Sequence, residues 1–123
     1  MSIYHYTIPD IPPSNNKFIG RNNRWDYQDI KKHWAQLISV YCRPKPPEPM
    51  PRATVTLFYH FKDKRRRDPD NYSGKFILDG LTQAGIIADD SFNVIDLQLK
   101  AICDKRGETE IFIESLRKFA DVK

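Results

Sequence analysis

The chain has 123 residues, 40% apolar and 29% charged, with twenty Lys and Arg against sixteen Asp and Glu for a formal charge of +4. That length is one domain's worth on the prior of roughly 100–200 residues per domain, and the composition is that of a globular protein, so a single domain over residues 1–123 is expected. No apolar run approaches about 18 residues, which excludes a membrane span, while Cys42 and Cys103, with no secretory pattern at the start, read as reduced thiols in the cytoplasm and exclude a disulfide scaffold.

Residues 2–8 carry Ile, Tyr and Thr and predict a strand, closed by Pro9, Pro12 and Pro13. Over residues 25–41 the positions Ile30, Trp34, Leu37, Ile38 and Tyr41 recur at intervals of three and four, the spacing of an amphipathic helix. Five of the nine prolines then fall between positions 44 and 51, and with so many amide donors missing that stretch is an extended connector. Residues 52–61, RATVTLFYHF, are β-branched and aromatic and predict a strand. Asp68 is placed to cap a second helix with Pro69 as its first residue, where a missing N–H costs nothing. Ile77, Leu81 and Ala84 share one face of that helix, and Gly85 supplies a left-handed stop. Residues 93–103 and 110–116 alternate as strands, and Lys105-Arg106-Gly107 between them predicts a hairpin. The expected fold is α+β: a small β-α-β-α-β-β domain, with a mixed sheet packed against two helices.

Charge is unevenly spread along this order. Residues 62–67 hold five cations and one anion, whereas residues 68–96 hold six aspartates and only Lys75, a local charge of −5. A dense acidic segment repels itself unless something cationic offsets it. Asp68 and Asp70 stand two apart before the second helix, and Asp89 and Asp90 follow it. A helix of about 15 residues spans roughly 22 Å, so its two ends do not share a site unaided. For Asp68, Asp70 and Asp90 to converge, residues 86–88 must run back along the helix, or a second subunit must supply the missing part. Carboxylates gathered in this way suit Mg²⁺, with Mn²⁺ as a substitute, and not Zn²⁺, for which His5, His33 and His60 have no ligand spacing. Such an ion activates water and stabilises charge on a transferring phosphoryl group. Lys75 would meet a phosphate or leaving oxygen, and Arg65, Arg66 and Arg67 would track a nucleic-acid backbone.

Each feature also has a plainer role. Asp68 can be a simple cap, Asp89-Asp90 a solvated turn, and the arginines a charged loop. Lys75 can pair with Asp79 for only about 0.2–0.5 kcal/mol. His60 reads as a core or edge histidine, and the aromatic residues as core, with Tyr72 the exception that could face DNA. The functional case rests on the features occurring together.

In combination, the run Arg-Asp-Pro-Asp-Asn at 67–71, followed by Lys75, Asp79, Leu81, Gly85 and Asp89-Asp90, resembles the RusA family of Holliday-junction resolvases. So does the opening, a short strand running into Pro12-Pro13-Ser14-Asn15-Asn16. The resemblance implies a homodimeric, Mg²⁺-dependent endonuclease that cuts four-way DNA junctions symmetrically in recombination and repair, with no organic cofactor. Carried over by motif, Asp68, Asp70 and Asp90 are the metal-binding acids, with Asp89 as the alternative to Asp90, and Lys75 is the catalytic lysine. Asn15, Asn16, Lys17 and Asn71 join Arg65 to Arg67 and Lys75 as DNA-binding residues. One departure from the pattern is an extra residue before Lys75, which would turn the lysine by about 100° on a continuous helix. It is absorbed if the helix starts later, with Gly74 in the loop. Two other functions fit the residues: a branched-DNA-binding module that does not cut, and a metal-dependent phosphohydrolase acting on a small substrate.

Overall fold

A computed structural model describes residues 3–15 and 24–116. In chain order the elements are β1 (Ile3–Ile8), α1 (Arg24–Tyr41), β2 (Ala53–Phe61), a 3-10 turn (Pro69–Asn71), α2 (Lys75–Gln83), β3 (Ile95–Cys103) and β4 (Glu108–Ser115). The four strands form one sheet in the order β1-β4-β2-β3, with β2 and β3 parallel and the other two pairings antiparallel. It is an α+β fold with a mixed sheet and two helices. Among the described residues no helix is long and apolar enough to cross a membrane.

Strand alternation decides which side chains are buried. Val55, Leu57, Tyr59 and Phe61 leave β2 on one face and meet Tyr6 and Ile8 of β1 and Ile111 and Ile113 of β4. The helices cover that face with Trp34 and Ile38 of α1 and Phe76, Ile77 and Leu81 of α2. Trp34, Ile38 and Cys42 lie four residues apart, so they stack along one side of α1 and its end. Where the helices meet, Gly80 lies against α1: a Cβ there would come within 2.7 Å of Ile38 Cγ1.

The proline connector is extended, and it is anchored at several points. The Tyr6 hydroxyl donates to the Pro44 carbonyl at 2.7 Å, and Lys45 Nζ donates to the Ala84 carbonyl at 2.9 Å. At its far end Met50 bridges Ile87 in parallel, with Met50 N donating to Ile86 O at 2.9 Å and Ala88 N to Met50 O at 3.0 Å. Residues 86–88 therefore follow the path that leads into β2.

The predicted hairpin does not form. β2 lies between β3 and β4, so the strands joined by Lys105-Arg106-Gly107 are not paired with each other. The turn is as tight as its residues suggest, with positive φ at Lys105 and Gly107. It hooks over the end of β2: Asp104 N and Lys105 N donate to the Phe61 carbonyl, and Gly107 N to the His60 carbonyl at 2.8 Å. Carbonyls that a ladder would otherwise leave open are satisfied in this way. Both strands also differ slightly in extent from the expectation, β3 starting at Ile95 and β4 running from Glu108 to Ser115.

Candidate active site

The loop from β2 to α2 carries most of the residues singled out by sequence, and its three arginines take different roles. Arg65 and Arg66 point outward, with side chains 77% and 88% exposed, whereas that of Arg67 is 17% exposed. Arg67 donates to the Asp63 carboxylate at 2.9 Å and to the carbonyls of Asp63 and Arg65, and its guanidinium lies 4.1 Å over the Phe61 ring. It holds the loop in shape. The Arg65 amide and the Arg67 guanidinium, both bonded to Asp63, keep that carboxyl below its usual range.

Asp68 flanks the 3-10 turn in an extended conformation and makes no side-chain cap; its carboxylate takes a 3.2 Å bond from Arg66 Nε instead. The expectation that Asp68 and Pro69 open the second helix is thus corrected. Pro69 does occupy the first position, but of the short turn, and α2 begins at Lys75 after Gly74, whose φ is +83°. A left-handed residue breaks the helical path, and Gly alone adopts it without a Cβ penalty. The extra residue before Lys75 is taken up there. Asn15 fastens this loop to the N-terminal segment, its Nδ2 donating to the Asp70 carbonyl and to Ser73 Oγ, each at 3.1 Å. Asn71 is half-buried in the turn. Asn16 and Lys17 lie outside the described residues.

Lys75 stands at the first turn of α2. The hydrogen bond to Tyr27 raises its pKa above the ordinary lysine value against an opposing effect of burial, and the charges of Asp79 and Asp90 add lesser upward pulls. It is a firmly charged ammonium. Asp79 lies 4.0 Å from Lys31, so its ion pair is with that lysine, while its charge is also felt at Lys75. Asp90 is exposed, in the turn that leads toward β3, and its charge reaches Lys75. Asp68 and Asp70 lie on the other side of Gly74.

Among the described residues no group of three His, Cys, Asp or Glu side chains is drawn together closely enough to hold a metal ion. The donors nevertheless match the chemistry of Mg²⁺, which is commonly held by one or two carboxylates completed by substrate phosphate and water.

A second polar cluster lies beneath the loop at residues 104–107. His60 is buried, with Nδ1 2.7 Å from Asp104 Oδ2 and Nε2 2.6 Å from Glu110 Oε1, and His5 reaches the other Glu110 oxygen at 2.8 Å. Two carboxylates accepting from one ring require both nitrogens to donate, which makes His60 an imidazolium. Burial opposes its charge, but the bonds to Glu110 and Asp104 outweigh this and raise its pKa. Sequence reasoning found His60 and none of its partners; residues 5, 60 and 110 come together through sheet pairing, and residue 104 through the turn that hooks over β2.

The chain matches no model of a known protein family, and no curated protein matches it.

Proposed function

We propose that this chain is a divalent-metal-dependent endonuclease of branched DNA, acting on four-way junctions as a homodimer. The observation that carries the reading is the sequence of charges around the loop and the start of α2. Outward Arg65 and Arg66 lead into the acidic 68–70 turn, and beyond Gly74 a firmly charged Lys75 lies within the field of Asp90. The motif carrying these residues is the one that resembles the RusA resolvases.

In this reading one or two of Asp68, Asp70 and Asp90 would hold Mg²⁺ within a protomer, and the ion when bound would supply an activated water and charge neutralisation at the scissile phosphate. Lys75 stabilises negative charge that develops on the phosphoryl oxygens, and its bond to Tyr27 further favours its charged form. Arg65 and Arg66 hold the backbone without reading sequence. A two-fold dimer places one site on each of two opposing strands of a two-fold substrate.

A binding module without cleavage is the second reading, favoured by the absence of a three-ligand group among the described residues. Asp70→Asn separates the two. The nuclease reading expects this variant to lose cleavage by at least about 100-fold while it binds a junction as tightly as the wild type or tighter, because an acidic repulsion of DNA is gone. Cleavage at the wild-type rate by the purified variant would remove Asp70 from the mechanism. No cleavage by either protein, with binding retained, would establish the module.

A further inference from the structure

Beside the acidic turn, the covering of the sheet runs out. On β3 the residues Ile95, Leu97, Leu99 and Ala101 alternate toward the helices, but only Ile95 is buried, Leu97 and Leu99 are half-buried, and Ala101 is exposed. The gap forms a notch of about 120 Å³ between the 67–72 loop and the far half of β3. Its walls are aromatic. Tyr72 meets Phe61 edge-on, with centroids 5.2 Å apart, and Tyr59 likewise at 5.8 Å. Leu99, Ala101, Arg67 and Asp68 complete the lining.

We propose that this notch is a nucleobase pocket, which takes one unstacked base of the branched DNA next to Asp68. The proposal rests on the nuclease or binding-module reading above and deepens it, since both require junction DNA.

Three features select a base over other occupants. Pockets for drug-sized ligands run to about 300–1,000 Å³, so this space admits a single planar ring and little else. Half-buried Tyr72 and the Arg67 guanidinium, which lies over Phe61 in the lining, offer planar surfaces that stack on a base whatever its identity. The surroundings have both signs of charge: the Asp68 carboxylate accepts from a base N–H, and outward Arg65 and Arg66 meet the attached phosphates. Bases beside a branch point are the ones that leave the stack at least cost. A base seated here brings its own phosphate alongside Asp68, which ties recognition of the branch to the acidic turn.

The test combines removal of the base with closure of the notch. Junctions carrying a single abasic nucleotide, at each position next to the branch point in turn, are titrated with wild type, Ala101→Phe and Tyr72→Ala, without divalent cation. Ala101 is exposed, so filling the notch from that position leaves the core intact, and Tyr72→Ala removes a wall as an independent check. At one abasic position the wild type is expected to lose binding roughly tenfold or more, in line with the strength of base–aromatic stacking. Both variants should bind the intact junction that much more weakly and show no additional penalty at the abasic position. A wild type that binds the junction tightly yet ignores every abasic position overturns the pocket and leaves the function standing. An equal abasic penalty in all three proteins places base recognition elsewhere and also overturns it. A wild type that binds no junction removes the functional reading, and the pocket with it.

Discussion

At Gly74 the backbone turns through φ +83°, and a Cβ added there would fall 2.5 Å from Leu57 Cδ1, a buried side chain of β2. Gly74→Ala therefore combines left-handed strain with overpacking, and a loss of roughly 1–3 kcal/mol in urea unfolding is expected. Because the same residue separates the acidic turn from Lys75, the variant should also lose junction cleavage. His60 makes a different kind of claim. A group whose folded pKa is raised contributes stability that is fully present below its unfolded value of about 6.5 and is lost as pH rises through the folded value. Glu110 is lowered by its bonds to His60 and His5; for Asp104 burial pulls upward and is outweighed by the bonds to His60 and the Arg106 amide. Their contribution is present above the ordinary carboxylate range and is lost as pH falls through their folded values. The urea midpoint should thus be highest between these limits and decline on the alkaline side, and His60→Gln should flatten that decline. A wild-type midpoint constant from about pH 6 to 9 would contradict the charged assignment. Tyr59 presents the opposite case: its hydroxyl is buried with no hydrogen-bond partner among the described residues. Since an unmade buried bond costs about 1–3 kcal/mol, Tyr59→Phe should leave thermal stability unchanged or raise it.

Among the elements, α1 and β2 were readable because each has a period that a single segment carries on its own. Trp34 and Ile38 repeat every four residues, and Val55, Leu57 and Tyr59 every two. Pairing was less legible. Alternation and a glycine turn say that β3 and β4 run in opposite directions, but they do not say whether another strand lies between them. β2 takes that place because the connection through α2 returns β3 parallel to it. The start of α2 was legible only through the mismatch at Lys75, since Asp-Pro is as good an opening for a 3-10 turn as for an α-helix. The candidate acids were all visible by type, while the notch was not, since it arises where β3 outruns the helices above it. The helix–helix contact gives a sharper test of the packing. Although alanine favours helix over glycine by about 1 kcal/mol, Gly80→Ala would push on Ile38, which is fully buried. A net loss of about 1–2 kcal/mol is expected from chemical unfolding, against a gain if the helices were not in close contact.

For the molecule as a whole, a formal charge of +4 understates the local contrast between the loop at 62–67 and the acidic residues that follow. Binding to a nucleic-acid backbone would release counterions, and each phosphate contact steepens the salt dependence of log K by about 0.9. Replacing Arg65 and Arg66 together by alanine should make that slope shallower by nearly two, whereas Arg67→Ala should lower stability first, because Arg67 is spent on Asp63 and Phe61. The most direct measurement is digestion of a mobile four-way junction beside linear duplex and flap controls, with Mg²⁺ titrated from zero. Cleavage that rises with Mg²⁺, prefers the junction and leaves nicks paired across its two-fold axis is the predicted result. Equal cutting of all three substrates, or no cutting at any Mg²⁺ concentration, would contradict it.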